Sequence, residues 1–483
     1  MSVRVLIMQL NELLDRTDVD PVKVGGICVD SREVTPGDLF FAMQGSTVDG
    51  HDFVEEALRR GAAAVCAERQ ITGSFDVPIV VDPNLAVQLS AIAGRFCNEP
   101  SESLFCIGVT GTNGKTSIAH HCAALMERTG FMGTIGWGVI GNLRPSHLTT
   151  ENAVTVQKRL RSLCSMNQRS VAMEVSSHAL EQNRVADVSF DVAVFSNLSR
   201  DHIDYHGGMD EYAVAKRKLF EFGSLTAAVI NTDEAFGREL VSRLRARDLT
   251  CVTYGTTEEV DVRWIVDKYT REGVYGRWYT KWGEADFDLP LFGDFSVSNV
   301  AAAVGIALHR GYALSEVTAL LKRLPYIPGR MEMYRIDGKP AAVVDYAHTP
   351  EALRLALSAI RTHVGGRLIC VFGCGGDRDQ GKRPMMGAVV AGQADMAIVT
   401  TDNPRSEKVD CINKQIVDGF GNWDAYRLIP DRAAAVREAV HAASSDDVVL
   451  IAGKGHENTQ EIKGEKNVFD DRDFVKNLLG LTD

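Results

Sequence analysis

At 483 residues the chain is too long to pack around one hydrophobic core, and a prior of roughly 150 residues per domain points to three domains. Its composition, 45% hydrophobic and 24% charged, is that of an ordinary globular protein, and no run of about 18 apolar residues is present to span a membrane. The formal net charge of −12 argues against nucleic acid as a partner, while leaving room for anionic ligands held by a local cluster of basic side chains and helix N-termini.

The chain opens with Met1-Ser2-Val3-Arg4-Val5-Leu6-Ile7, in which no charged segment precedes a long apolar one, so no signal peptide is expected. Short strands and helices then mix as far as residue 99. Asp30-Ser31-Arg32 leads into the Pro36-Gly37 turn and the apolar run Leu39-Phe40-Phe41-Ala42. A helix is expected from Phe53 to Arg60 and a strand at Ile79-Val80-Val81. No catalytic cluster is visible here, and a small binding or capping domain is the expectation. Asn98-Glu99-Pro100-Ser101-Glu102-Ser103 is polar and holds a proline, which makes it the first candidate linker.

Leu104 to Val109 has the length and apolar character of a buried strand, and from Ser117 apolar residues recur with helical spacing at Ile118, Cys122, Leu125 and Met126. Between them lies Gly111-Thr112-Asn113-Gly114-Lys115-Thr116-Ser117. A glycine-punctuated turn between strand and helix offers free N–H groups and the positive end of the helix dipole to phosphate oxygens. Lys115 would reach the terminal phosphates, and Thr116 would offer its hydroxyl to Mg²⁺. The loop is a shortened one, because Val109 stands where the general phosphate-loop pattern has a glycine; an ordinary glycine-rich turn is the alternative reading. Strand-like runs follow at 171–175, 192–196 and 227–231, and their alternation with helical segments implies a parallel sheet with helices on both faces. Ligands gather at the carboxyl ends of such strands. Glu174 and Asp201-His202 fall there.

Residues 324–330, Leu-Pro-Tyr-Ile-Pro-Gly-Arg, form the second candidate linker, after which the alternation restarts. Strands are expected at 341–346, 368–372, 396–400 and 448–452, with a helix from Pro350 to about Arg361. Three of these strands run into polar loops, at 373–379, 401–405 and 453–457, which would make a binding rim at one end of the sheet. The ten cysteines are scattered without zinc spacing; Cys370 and Cys374, the closest pair, read as reduced core residues, which fits a cytosolic compartment.

A carboxylate within an apolar strand, as at Glu174, must be paired or bound to metal to offset its desolvation. Beside a phosphate loop, Mg²⁺ ligation is the favoured reading and a structural ion pair the other. His202 alone reads as a loop residue, since Mg²⁺ prefers oxygen ligands. Lys216, in Tyr212-Ala213-Val214-Ala215-Lys216-Arg217-Lys218, reads as part of a solvated helix face. Arg378 and Arg405 offer planar forks suited to carboxylates and Glu457 a partner for an ammonium, so the rim suggests an amino-acid-like ligand, with a surface ion-pair network as the alternative.

Gly111-Thr112-Asn113-Gly114-Lys115-Thr116, Met173-Glu174-Val175-Ser176-Ser177-His178, Asn197-Leu198-Ser199-Arg200-Asp201-His202-Ile203-Asp204-Tyr205-His206-Gly207, Asp345-Tyr346-Ala347-His348-Thr349-Pro350, Gly373-Cys374-Gly375-Gly376-Asp377-Arg378-Asp379 and Asp402-Asn403-Pro404-Arg405 together resemble the Mur ligases, in order and at fitting spacings. The resemblance implies an α/β fold in three domains: a small N-terminal α/β domain that grips UDP over 1–99, a central P-loop-type parallel-sheet ATPase domain over 100–329, and a C-terminal Rossmann-like domain for the incoming amino acid over 330–483. It implies an ATP-dependent ligase of peptidoglycan synthesis, cytoplasmic and monomeric, that uses ATP and Mg²⁺ to add the third peptide residue to UDP-N-acetylmuramoyl-L-alanyl-D-glutamate.

Carried over residue by residue, Ser31, Thr149, Thr150, Ser176, Gln182 and Arg184 would contact the UDP-muramyl dipeptide. Gly111, Thr112, Asn113, Gly114, Lys115, Thr116 and Ser117 would hold ATP, with Asn299, Arg330 and Asp345 lining the nucleotide between domains. Thr116, Glu174 and His202 would serve the metal, with Lys216 as a carbamate supporting a second Mg²⁺. Lys216 matches the family's carbamylated lysine, in which CO₂ turns an ammonium into a carboxylate-like group, so the resemblance replaces the solvated-face reading and sets Lys216 beside Lys115, Glu174 and His202 as catalytic. The Asp402-Asn403-Pro404-Arg405 form goes with meso-2,6-diaminopimelate, whose distal carboxylate an arginine fork holds, and lysine-adding relatives lack that arginine. Arg378, Asp402, Asn403, Arg405, Gly453 and Glu457 map onto that pocket. Two positions depart from the family pattern: Glu151-Asn152 stands where many members have proline and an acidic residue, and Ser296 replaces a frequent asparagine.

The reaction so implied activates the D-glutamate carboxylate as an acyl phosphate, which the diaminopimelate amine then captures. A lysine-adding homologue is one alternative. A folylpolyglutamate synthetase is another, against which the Asp30-Ser31-Arg32 region and the arginine-bearing rim loop speak. A P-loop switch, of a different class, would turn over ATP without either substrate.

Overall fold

The structure, a computed structural model, describes residues 7–45 and 48–481; apart from Ile7, the stretch read above for a signal peptide lies outside the described residues. Four parallel strands, in the order Gly26–Cys28, Asp38–Ala42, Ala64–Ala67 and Ile79–Val81, form the N-terminal sheet. Asp38–Ala42 is buried on both faces, which is why it reads as a continuous apolar run: Leu39 and Phe41 pack to one side, Phe40 and Ala42 to the other. The helix Leu85–Cys97 lays Leu89, Ile92 and Phe96 against Ala153 and Val154 of the following domain. Asn98 and Glu99 then turn the chain through left-handed conformations. The polar stretch after them is ordered: Pro100–Ser103 is a single 3-10 turn with Pro100 and Ser101 buried, and Ser101 Oγ accepts the Ser189 N–H at 3.1 Å.

Eleven strands build the central sheet. Phe105–Thr110 lies at its middle, parallel to Ser170–Glu174 on one side and to Val192–Phe195 on the other, with Glu174 opposite Val109 and Phe195 opposite Thr110. The register brings the ends of three strands to one edge, the edge at which the glycine loop begins. Helices cover both faces: Lys115–Leu125 and Asp294–His309 on one, Ala153–Ser165 and Ala235–Arg245 on the other. Asp294–His309 is apolar around most of its circumference because it is buried almost throughout.

The parallel core is extended by antiparallel strands at both edges, a part of the sheet that the sequence reading did not place. Gly136–Val139 and Asn142–Arg144 fold back at one edge; Val262–Tyr269, Val274–Thr280 and Gly283–Leu289 form a meander at the other. Tight turns at Gly273 and Gly283 make these hairpins, and Trp264, Trp278 and Phe287 give the meander one buried face.

The third sheet has six strands in the order Glu332–Tyr334, Ala341–Asp345, Val448–Ala452, Leu368–Phe372, Met396–Val399 and Tyr426–Leu428, parallel except for the first. The loops after the five parallel strands therefore emerge at one end. At the boundary with the central sheet, His363 sits between Tyr269 and Phe292, its Nε2 accepting the Gly293 N–H at 3.1 Å. No helix of the described residues is long and apolar enough to cross a membrane, and the cysteines among them are free.

Candidate active site

The glycine loop is fixed from the neighbouring strand end. Asn197 accepts the N–H of Thr112 through its carbonyl at 2.9 Å and that of Asn113 through its side-chain oxygen at 2.8 Å, and Ser196 Oγ donates to the Asn113 carbonyl at 2.6 Å. Gly111 (φ 149°) and Gly114 (φ 85°) take conformations that favour glycine. A Cβ on Gly111 would lie 1.9 Å from Ser196 Oγ, and one on Gly114 would lie 2.4 Å from Asn299 Oδ1. The glycines are thus required by close approach as well as by torsion. No side chain caps the helix Lys115–Leu125, so its first N–H groups stay available to an anion. Val109, where longer phosphate loops have glycine, is buried in the strand; this cradle begins later and is held by Asn197 instead.

Two lysines meet under this loop. Lys115 Nζ donates to the carbonyls of Gly111 and Thr112 at 3.0 and 2.9 Å, and burial lowers its pKa against the pull of Glu174 and Asp201. Lys216, from the helix Met209–Arg217, is 1% exposed, with Nζ 2.8 Å from the Gly111 carbonyl and 4.1 Å from the centre of the Tyr212 ring. Burial, reinforced by the charge of Lys115, drives its pKa well below the ordinary lysine range. The solvated helix face read from sequence is overturned for this residue: one face of the helix packs Tyr212, Ala215 and Lys216 inward, while Val214 stays exposed.

Glu174 is buried at the end of its strand, and its two oxygens accept the N–H and the hydroxyl of Thr134 at 2.7 and 3.2 Å. His202 is more exposed, in a left-handed conformation; its Nε2 is 3.4 Å from Asp201 and its ring 4.9 Å from that of His178. Burial would raise the pKa of Asp201, but His202, His348 and Lys115 outweigh it and hold the carboxylate below its usual range. Among the described residues no three His, Cys, Asp or Glu side chains converge as a metal cage. Thr116 and Glu174 are oxygen donors on one cavity, a set that fits Mg²⁺ where phosphate oxygens and water complete the shell.

The cavity has a volume of about 240 Å³ and lies between the central and C-terminal sheets. It is lined by Thr112, Asn113, Gly114, Lys115, Thr116 and Ser117 together with Thr149, Glu174 and His202, and it takes Asn299, Arg330 and Asp345 from later in the chain. Arg330 Nη2 donates to Thr116 Oγ1 at 3.3 Å and its guanidinium lies 4.4 Å from the Tyr346 ring centre. Asp345 accepts the N–H groups of Met331 and Ala347, at 2.7 and 2.8 Å, and burial raises its pKa. Gly111 and Lys216 are not part of its lining.

Asp201 and His348 also line this cavity, and the sequence reading gave neither a role. Both stand inside motifs it quoted. Burial pushes His348 down to about 4, so the ring is neutral at physiological pH, and its Nδ1 is 2.9 Å from the Tyr346 carbonyl. An imidazole so placed donates from Nδ1 and leaves Nε2 as an acceptor.

The remaining residues form two further groups. Thr150 Oγ1 donates to the Glu174 carbonyl at 2.8 Å and accepts the Ser176 N–H at 3.0 Å; Arg184 donates to the Thr150 carbonyl at 2.7 Å and to Gln182 Oε1 at 3.0 Å. Thr149 is 3.0 Å from Thr134. Ser31 stands apart in the N-terminal domain, donating to Glu56 at 2.8 Å. The two departures from the family pattern have local work here. Glu151 is buried, accepts the N–H groups of His147 and Leu148 at 2.9 and 3.4 Å, and pairs with Arg159 at 2.8 Å; Asn152 caps the helix Ala153–Ser165. Ser296 is buried on the cavity between the central and C-terminal sheets.

On the C-terminal rim Asn403 Nδ2 donates to Glu457 Oε2 at 2.8 Å, and Lys454, fully buried, donates to that same oxygen at 3.1 Å. Arg405 Nη1 donates to the Gly376 carbonyl at 2.8 Å. A Cβ on Gly453 would lie 2.6 Å from Asp402 Oδ2. Arg378 is exposed and donates to the carbonyl of Asp377 at 3.0 Å. The rim joins the cavity through the ring contact of Tyr346 with His456, at 5.0 Å. A glycine loop with Lys115 thus opens on a cavity between the central and C-terminal sheets, the buried Lys216 amine donates to that loop's Gly111 carbonyl, and the arginine- and carboxylate-bearing rim touches the cavity wall at Tyr346.

Three family models match the chain: the Mur ligase family catalytic domain over residues 23–96, the Mur ligase middle domain over 109–307, and the Mur ligase glutamate ligase domain over 329–455. The UDP-N-acetylmuramoyl-L-alanyl-D-glutamate--2,6-diaminopimelate ligase of Pseudomonas aeruginosa is 45% identical over 480 residues, which is 98% of each chain. A solved structure of a ligase with that description is 35% identical, with a TM-score of 0.71 over 99% of both chains. The Mycobacterium tuberculosis folylpolyglutamate synthase complexed with ADP and AMPPCP has a TM-score of 0.64 at 19% identity and covers 76% of this chain, a likeness of fold.

Proposed function

The chain belongs to the Mur ligase family and is an ATP-dependent ligase, and from that premise we propose that it adds meso-diaminopimelate to the D-glutamate carboxylate of UDP-N-acetylmuramoyl-L-alanyl-D-glutamate. The observation that supports this reading is the contact between the Lys115 cavity and the C-terminal rim, made by the Tyr346 ring, which lines the cavity, against the His456 ring at 5.0 Å. The reaction takes place in the cytoplasm, on a monomer of three domains.

In the first half-reaction the glutamate carboxylate attacks the γ-phosphorus of ATP, ADP leaves, and an acyl phosphate forms. The side chains position and neutralise charge and form no covalent bond to phosphorus. The open N–H groups of the helix Lys115–Leu125 hold phosphate oxygens; Lys115 and Arg330 offset the charge that develops on them. Thr116 and Glu174, with His202 beside them, would hold Mg²⁺, which when bound neutralises phosphate charge. Ser31 grips the UDP end, and Thr149, Thr150, Ser176, Gln182 and Arg184 hold the dipeptide.

Lys216 is the residue that carries a carbamate in this reading, supported by its burial and its lowered pKa. Its depressed pKa supplies the neutral amine that CO₂ requires; the nitrogen lone pair bonds the carbon and an N–H proton leaves to solvent. The product exchanges a buried amine for an anion beside Lys115, which Coulomb attraction favours.

In the second half-reaction the diaminopimelate amine attacks the acyl carbon and inorganic phosphate leaves. Arg378 and Arg405 hold carboxylates of the incoming amino acid, and Asp402, Asn403, Gly453 and Glu457 surround its ammonium. Closure of the C-terminal domain onto the central one brings the amine to the acyl phosphate.

An ADP-release assay across diaminopimelate, lysine and ornithine tests this, with and without the UDP-dipeptide. Turnover is expected with diaminopimelate and only when the UDP-dipeptide is present. Equal turnover with lysine would overturn the amino-acid assignment, and turnover without the dipeptide would turn the reading into that of an ATPase switch.

A further inference from the structure

Next to the rim stands a two-stranded antiparallel hairpin, Thr459–Ile462 with Glu465–Val468, that belongs to none of the larger sheets. All four residues of its outer strand are exposed, Val468 by 89%. An isolated hairpin of this length holds together poorly in water, so what it contacts matters more than what it buries.

Its inner strand and the turn that follows bond residues 401, 402, 403 and 405. Gln460 Nε2 donates to the carbonyls of Thr401 and Asp402 at 3.2 and 2.9 Å. The Glu461 N–H donates to Asn403 Oδ1 at 2.9 Å. Arg405 N–H donates to the Glu461 carbonyl at 3.2 Å, and the Arg405 carbonyl accepts the Lys463 N–H at 2.8 Å. Arg405 therefore pairs with the hairpin as a strand residue would, although its own φ of 49° is left-handed. An arginine in that conformation persists only where the surroundings hold it. The hairpin supplies both of its backbone partners, and Lys454, which bonds Asn403 and Glu457, ties the hairpin's first residue through the Thr459 carbonyl at 2.6 Å.

We propose that the hairpin Thr459–Val468 is a strap that fixes Arg405 in its binding conformation, with Gln460 as the positioning residue for capture of the incoming amino acid. The inference rests on the reading of Arg405 as the holder of the distal carboxylate. Gln460 spans the strap and the loop through its two amide protons and touches no reacting atom. A strap of this kind acts on one substrate: it sets KM for the amino acid and leaves the phosphate cradle untouched.

The test is steady-state kinetics of Gln460→Ala and Gln460→Glu on the full chain, with meso-diaminopimelate, ATP and the UDP-dipeptide varied in turn. Glutamate keeps the length of the side chain and loses the two donors, so both variants are expected to raise KM for diaminopimelate about tenfold. KM for ATP, KM for the UDP-dipeptide and kcat are expected to stay within about twofold. An unchanged KM for diaminopimelate in both variants would overturn the strap, as would a parallel rise in all three KM values, the sign of a general loss of structure. Arg405→Ala is the control. If it raises KM for diaminopimelate while the Gln460 variants do not, the strap alone fails; if it also leaves that KM unchanged, the reading of Arg405 fails and the strap with it.

Discussion

Lys115 and Lys216 donate to the same acceptor, the carbonyl oxygen of Gly111, at 3.0 and 2.8 Å. Two ammonium groups on one buried carbonyl repel each other, and the more deeply buried one gives way. Burial first, and the neighbouring Lys115 charge second, lower the pKa of Lys216 well below its ordinary value. Between that lowered pKa and the ordinary 10.5 the unfolded chain binds a proton that the folded chain does not, so the contribution of Lys216 to stability improves as pH rises through this window. In bicarbonate-free buffer, the stability of the wild type relative to Lys216→Met is therefore expected to increase from pH 7 to pH 10, by thermal denaturation at each pH. A relative stability that is flat or falling over that range would show that the lysine is charged in the fold. Ligation by Lys216→Met is expected to fall at least 100-fold, the scale of losing a group that acts on developing charge, and a short carboxylic acid added to the assay is expected to restore part of it.

Lys115 touches the loop and faces the cavity, whereas Thr150 and Arg184 are held by contacts that do not include it. Lys115→Ala should therefore separate chemistry from substrate binding. Ligation is expected to fall by about 10³-fold or more, while calorimetric affinity for the UDP-dipeptide stays within about twofold. Ligation at the wild-type rate would remove Lys115 from the phosphate cradle.

The cradle was legible in the sequence because its chemistry is local: seven consecutive residues between a strand and a helix carry the glycines, the lysine and the hydroxyl. The rim was legible for a related reason, since polar loops after apolar strands of a parallel sheet emerge together. Lys216 was not legible from its own segment. Its helix has charged and apolar residues in mixture, and only packing against Gly111, 105 positions away, decides which face is inside. The meander at 262–289 escaped because its alternation pairs one buried tryptophan face with an exposed one, a pattern visible only once the turns at Gly273 and Gly283 are recognised. The hairpin at 459–468 carries almost no apolar signal, and its partners in the rim loop 401–405 lie more than 50 residues earlier.

Glu151 holds residues 147 and 148 by their N–H groups and neutralises the buried Arg159, while its neighbour Asn152 only caps a helix. The two substitutions are expected to part company. Glu151→Ala leaves Arg159 unpaired and loosens the loop that carries Thr149 and Thr150, so it is expected to destabilise the fold by about 3 kcal/mol and to raise KM for the UDP-dipeptide. Asn152→Ala is expected to cost about 1 kcal/mol and to leave that KM unchanged. Denaturant titration and kinetics of both variants check this, and an unchanged KM in Glu151→Ala would free the loop from its dependence on Glu151.

Arg432 and Asp471 form an ion pair that is almost fully buried, with Nε to Oδ1 at 2.8 Å and Nη2 to Oδ2 at 2.7 Å. Arg432 also donates to the carbonyl of Ala452, where the strand runs into the Gly453 loop. Removing one partner leaves a buried charge uncompensated: Arg432→Met is expected to destabilise the protein by about 3–5 kcal/mol, and Arg432→Met with Asp471→Leu to recover most of that loss. A double variant no more stable than the single one would mean that the bonds to the loop, and not the charge balance, are what the pair contributes.

In the function proposed above, Arg405 is the residue on which amino-acid choice turns. Its Nη1 donates to the Gly376 carbonyl and its Nε lies 3.5 Å from Glu461, so part of the guanidinium is anchored and the rest is left to a ligand. A charge-assisted contact to a carboxylate contributes about 1.5–3 kcal/mol, or roughly 10- to 100-fold in affinity. Lysine has no distal carboxylate and forgoes this contact from the start. Arg405→Ala is therefore expected to raise KM for meso-diaminopimelate by roughly 10- to 100-fold and to leave the poor use of lysine unchanged, so that the two substrates converge. Competition assays with both amino acids measure the ratio directly. Equal loss for the two would mean that Arg405 grips the carboxylate common to both, and that the discrimination lies with Arg378.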